Sequence, residues 1–233
     1  MIATALSRSR LAAYSVFSVP LAMAALPVYV HLPKLYAGAL GMPLALIGGI
    51  LLAARLLDAV QDPLLGYLSD RCTRLPLGRS LPIVLGLPLL GAGFVGLFHP
   101  PQANQIGLAI WLIVNLLIVY IGFSAASISY FAMGADLSGD YHERTRVTAT
   151  RSAFGLLGVL LAAAAPGLLG SDEASGLALF SLLFVPVLIL AAFVTLRHTP
   201  RPLITAVPSA TLRTILLPLR DAKFRWLMGV FLL

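Results

Sequence analysis

Six apolar runs dominate the sequence, at roughly 11–31, 43–67, 81–98, 106–133, 153–169 and 176–196, and a seventh opens near residue 224. About 20 apolar residues in a helix cross the hydrocarbon core of a bilayer, and each complete run approaches or exceeds that length. In lipid only helices and closed barrels satisfy their own backbone. Barrel strands would read as alternating segments of about 10 residues, and none are present. The chain is 59% hydrophobic and 11% charged, against about 25% charged in soluble domains. The fold class is therefore all-α integral membrane: six transmembrane helices and the start of a seventh. The "AMA" at 22–24 mimics a signal-peptide cleavage site, but the apolar run continues through "ALPVYV" and reads as a helix.

Turn signals separate the runs at "GMP" (41–43), "HPPQAN" (99–104) and "GSDEASG" (170–176). The single cysteine, Cys72, excludes an internal disulfide and a cysteine-based metal cluster. The formal charge of +7 does not point to nucleic acid, because its distribution follows topology. Arg8 and Arg10 precede the first run. Arg71, Arg74 and Arg79 lie between the second and third, and Arg144, Arg146 and Arg151 between the fourth and fifth. The intervening connections hold only Lys34, or no basic residue. The positive-inside rule then puts the N-terminus on the cytoplasmic side. Residues 1–198 form a six-helix domain. Residues 199–223 read as a cytoplasmic linker, with Leu212, Ile215, Leu216 and Leu219 at helical spacing as an amphipathic helix on the inner membrane face. Residues 224–233 read as the start of a truncated seventh helix.

Charge is concentrated at one place in the apolar runs, "ARLLDAVQDPLLGYLSDR" (54–71). Arg55, Asp58 and Asp62 are spaced by three and four residues and so share a helical face. An isolated charge at mid-bilayer costs at least about 2.5–3.5 kcal/mol on insertion scales, so this face cannot meet lipid. Arg55 neutralises one aspartate and leaves one negative charge over. Two carboxylates and one arginine can bind one monovalent cation, Na⁺ or H⁺, and approach neutrality. Asp58 and Asp62 are the candidate cation-coupling pair, with Arg55 setting the charge balance. The alternative reading is a polar cluster that only holds helices together. Asn115, inside the fourth run, is a candidate cavity group or an interhelical hydrogen bond.

The segments "RLLDAVQDPLLGYLSDR…GRSLP" and "SYFAMGADLSGDYHERTRVTATRSAFG" (129–155) resemble the helix 2–3 and helix 4–5 signatures of the glycoside–pentoside–hexuronide:cation symporters of the major facilitator superfamily. The resemblance implies the N-terminal half of a twelve-helix transporter, built from two three-helix inverted repeats. Asp58 and Asp62 match that family's cation-site carboxylates. Arg151 matches its helix 5 arginine near the sugar, and Phe131 its ring-stacking aromatic; Tyr130 is Phe131's neighbour. Ser127 stands where the family has a third cation-site acid, and the first run lacks the family's sugar-binding acid. Both departures count against galactoside recognition and weaken the case for Na⁺ in favour of a proton, with the choice between H⁺ and Na⁺ left open. The loop 66–79 resembles the superfamily's loop between helices 2 and 3, so Asp70, Arg71 and Arg79, with Glu143 and Arg144 from 136–146, are expected to form a cytoplasmic gate.

Together these features lead to a secondary active transporter of the bacterial inner membrane, cation-coupled to a small organic solute such as a sugar or glycoside. Its expected partners are the bilayer, that solute and a missing C-terminal half. No cofactor and no metal are expected beyond the coupling ion, Na⁺ being possible at Asp58 and Asp62, and no enzymatic activity. The alternative is a six-helix protein that pairs with itself, as a pore or a non-transporting partner.

Overall fold

A computed structural model describes residues 6–199 and Trp226. The expected amphipathic helix and the seventh apolar run lie outside the described residues, apart from Thr199 and Trp226. Among the described residues, six helices are long and apolar enough to cross a membrane: α1 (Arg8–Ala39), α2 (Leu44–Cys72), α3 (Ser80–Phe98), α4 (Gln105–Asp136), α5 (Tyr141–Leu169) and α6 (Glu173–His198).

Helix α1 runs past the expected end at residue 31. Pro27 and Pro33 lack an N–H and crowd the preceding turn. The helix accommodates them by widening to π geometry over Pro27–His31 and Leu35–Ala39. It ends at Gly41, whose φ of +67° needs glycine, and Pro43 opens α2. Helix α5 begins well before its apolar run because Asp140 caps it, accepting from the Glu143 N–H at 3.0 Å. Asp172 caps α6 in a reciprocal box with Ser175. The backbone and hydroxyl donors of Ser175 hold the Asp172 carboxyl below the usual carboxylate range. At the same end, Glu173 meets His31 at 3.0 Å and also pairs with Lys34, tying α1 to α6.

The packing has the form of two three-helix units related by inversion. Helix α1 packs on α5 as α4 packs on α2. Helix α6 touches α1 as α3 touches α4, and α3 meets α6. With alternating chain direction, α1 and α4 run oppositely, as inverted repeats require. Aromatic side chains fill two regions. Tyr14, Phe17 and Tyr130 join α1 to α4, and Phe94, Phe98, Phe180 and Phe184 join α3 to α6.

Lipid offers helices no hydrophobic reason to associate, so close backbone contact takes that part. A Cβ on Gly86 would lie 2.7 Å from the Gly122 carbonyl oxygen, and one on Gly158 would lie 2.2 Å from the Val19 carbonyl oxygen. The sequence pairs Gly93/Gly96 and Gly155/Gly158 read as packing glycines. Three of the four are, but Gly155 faces open space. Gly158→Ala is therefore expected to destabilise the protein by about 1–3 kcal/mol through overpacking, with Gly155→Ala close to neutral. Thermal unfolding of the two purified variants checks this, and equal effects would contradict the packing.

Candidate functional site

Asp58 is the central residue of α2, and its side chain is 7% exposed. Three donors reach it. Arg55 Nη1 donates to Oδ2 at 2.9 Å, and Gln61 Nε2 and Ser124 Oγ each donate to Oδ1 at 3.0 Å. Arg55 is 62% exposed and also donates to the Tyr29 hydroxyl at 3.1 Å. A small cleft between α1, α2 and α4 is lined by Tyr29, Arg55, Asp58, Val119, Tyr120 and Phe123. A buried carboxylate with charge-assisted partners on both oxygens is fully compensated.

Asp62 lies one turn further along α2 and is not compensated in the same way. Its Oδ1 is buried and has no hydrogen-bond partner among the described residues, and the same holds for the Tyr120 hydroxyl beside Asp58. Such orphaned buried oxygens are few in native proteins and call for an explanation. Arg55 thus serves Asp58 rather than the pair as a whole, and among the described residues no basic group pairs with Asp62. Gln61 and Ser124 were not singled out by sequence reasoning. Gln61 follows Asp58 by three residues, a spacing that could have marked it. The resemblance drew notice to Ser127, which is buried one turn beyond Ser124 on α4, but the hydroxyl on Asp58 is that of Ser124.

The solute candidates do not come together at one place. The Arg151 guanidinium lies 4.3 Å from the centroid of Phe131, a cation–π contact on a ring that is 47% exposed. Tyr130 does not join them. It is fully buried, stacked on Tyr14 at 4.6 Å, and the two hydroxyls donate to each other's backbone carbonyls at 2.9 and 3.1 Å. Packing, not solute contact, occupies it. Asn115 is also elsewhere, against Gly96 of α3, where it donates to the Trp111 carbonyl at 2.9 Å. It is an interhelical packing group rather than a neighbour of Asp58.

The gate candidates also divide. Arg79 is buried at the start of α3. It pairs through Nη1 with Asp70 of α2 and through Nε with Asp136 of α4, both at 2.7 Å. Ser69 adds a contact to Arg79 and accepts a hydrogen bond from Ser129 at 2.9 Å. The positive φ of Gly78 sets the turn that delivers Arg79. The other three residues do not join. Arg71 covers the Tyr67 ring, Glu143 holds Arg146 and the Leu6 N–H, and Arg144 donates to the Ser138 carbonyl. Removing one member of a buried ion network leaves bare charge, at a cost of about 3–5 kcal/mol. Arg79→Gln is accordingly expected to lower the unfolding temperature strongly and Arg71→Gln hardly at all. Comparable losses in the two variants, measured by thermal unfolding, would contradict this arrangement.

Compared with known proteins, residues 12–233 match the family described as MFS/sugar transport protein. The uncharacterized symporter sll1374 of Synechocystis is 34% identical over 132 residues, which are 52% of this chain and 23% of that protein. The inner membrane symporter YicJ of Escherichia coli is 27% identical over 198 residues, 81% of this chain and 43% of YicJ. A lactose permease of Lactobacillus helveticus is 30% identical over 120 residues, 49% of this chain and 19% of the permease. The chain spans less than half the length of these curated relatives. All three are named as transport proteins rather than enzymes.

Proposed function

The chain belongs to the MFS/sugar transport protein family, and on that premise we propose that it is the N-terminal half of a cation-coupled symporter for a small organic solute. A second six-helix half would pack against the open faces of α2 and α5, and rocking of the halves would alternate access to a midplane site. The N-terminus and the Arg79 network lie on the cytoplasmic side of a bacterial inner membrane in this reading, in keeping with the arginine-rich connections.

One observation carries the coupling. Asp58 has every donor it needs, while Asp62, one turn away, keeps a buried oxygen without a partner among the described residues. A proton or Na⁺ at Asp62 removes the one surplus negative charge on α2, which lets the site close in low dielectric. Asp58 shapes that site and does not compete for the cation, because Arg55 already neutralises it. Na⁺ would draw further oxygens from the Tyr120 and Ser124 hydroxyls, whereas a proton needs none. The names of the relatives make sugars and glycosides the first solutes to screen.

The test uses the full-length transporter in proteoliposomes and the sugar or glycoside that the wild type concentrates. Asp62→Asn is expected to stop accumulation at the equilibrium level while exchange down a gradient continues. Uphill accumulation by Asp62→Asn would remove Asp62 as the coupling group.

A further inference from the structure

We propose that the groove between α3, α4 and α6 binds one acyl chain of an outer-leaflet phospholipid, with the chain's ester carbonyl on the Asn115 amide. The inference rests on the proposed placement of a second half against α2 and α5, which leaves α3 and α6 to the bilayer.

The groove encloses about 820 Å³, within the range of about 300–1,000 Å³ found for sites that take small molecules. Along α3 its lining runs from Val84 to His99. That is about 22 Å of helix, against a hydrocarbon core of about 30 Å, and so the reach of one chain from one leaflet. Val185, Leu188 and Ile189 of α6 form the facing wall, and Trp111 and Asn115 of α4 close one end. Small residues keep the α3 wall low. A Cβ on Gly91 would meet Val185 only at 3.7 Å, and Ala92 is exposed.

The groove continues an apolar surface. Val84, Leu85 and Leu89 of α3 and Leu182, Ile189 and Phe193 of α6 are all exposed. In a bilayer these side chains face hydrocarbon, and the groove opens among them. Its described lining contains no Asp, Glu, Lys or Arg. A trapped water needs two to four polar partners, which most of this lining cannot supply. A hydrocarbon chain is the complementary filling.

Polarity is confined to one end. The Trp111 Nε1 donates to the Gly96 carbonyl at 2.8 Å, and His99 Nδ1 donates to the Val95 carbonyl at 3.0 Å. Asn115 is buried against Gly96, and its Nδ2 donates to the Trp111 carbonyl at 2.9 Å. Its second amide proton has no partner among the described residues. Gly96 precedes His99 by three residues, so this amide lies about 5 Å inside the mouth, where His99 is exposed. An ester-linked acyl chain is graded in the same way. Its ester carbonyl accepts from Asn115 Nδ2, and its methylenes run toward Val84. The mouth is at the end of α3 opposite Arg79, which makes the leaflet the outer one. The connection 99–104 holds no Lys, Arg, Asp or Glu, so the site selects the chain and its ester rather than a charged headgroup. The bound chain bridges α3 of the first three-helix unit to α4 and α6 of the second, and so stabilises the fold.

The test uses the full-length transporter, purified in detergent and stripped of lipid, with thermal unfolding as readout. The probes are palmitoyl-oleoyl phosphatidylethanolamine and its diether analogue, which has the same chains without ester carbonyls. The wild type should unfold at a higher temperature as the diester lipid is added, and should bind it about fivefold more tightly than the diether. Ala92→Phe fills the groove and should need at least about tenfold more lipid for the same rise. Leu85→Phe, on the same surface outside the groove, should behave as the wild type. Ala92→Leu, a milder filling, decides the matter if Ala92→Phe does not fold. An equal rise in the filled variant and the wild type, no rise in the wild type, or equal affinity for the two lipids would overturn the proposal. If the second half sat on this groove instead, Ala92→Phe would unfold at a much lower temperature than Leu85→Phe even without lipid, and the placement of the halves would fall with the proposal. An unperturbed Ala92→Phe with no lipid response in the wild type would remove the lipid site and leave the symport reading standing.

Discussion

A carboxylate at the middle of a bilayer-length helix is stable only when other groups carry its charge, and the hydrogen bonds to Asp58 meet that requirement. Arg55 and Gln61 come from its own helix and Ser124 from α4. The pairing orients α2 against α4 and anchors the polar face of the bundle on that side. It also leaves Asp62, one turn away, with a buried oxygen that no donor among the described residues reaches. In the proposed reading a structural acid and a chemical one are separated, although both are aspartates on the same face of one helix.

The rest of the fold keeps that face in place without closing it. Glycine contacts at Gly86–Gly122 and Gly158–Val19 bring backbones together where larger side chains would hold them apart. The Arg79 pairs clamp α2, α3 and α4 at one end, and Glu173 joins α1 to α6 at the other. Helices α2 and α5 carry rows of exposed leucines, including Leu56, Leu57, Leu156 and Leu160. These rows fit a bilayer. In the proposed reading, clamps at both ends let this bundle move as one body.

The helices were legible in the sequence because hydrophobic run length is a strong signal in lipid, where the backbone has few alternatives. Their ends were less so. The polar first turns of α5 contain no apolar pattern, and α1 continues through two prolines by changing to π geometry. At the site, intrahelical spacing showed that Arg55, Asp58 and Asp62 share a face, but it could not show which acid the arginine serves. That depends on Ser124, which lies 66 positions away and is unremarkable among the serines of α4. The same limit applies to Tyr130 and Phe131. They are adjacent in the chain, yet helical geometry buries one against Tyr14 and turns the other toward Arg151.

The most direct measurement is the unfolding temperature of the full-length transporter as a function of sodium, with choline as control, and of pH, for the wild type and Asp62→Asn. A cation bound only to the folded state at about 100 times its dissociation constant adds about 2.7 kcal/mol, a clear shift. If Asp62 holds the coupling cation, the wild type responds to sodium or to pH and Asp62→Asn does not. The same response in both proteins would contradict the assignment and place the cation on other groups.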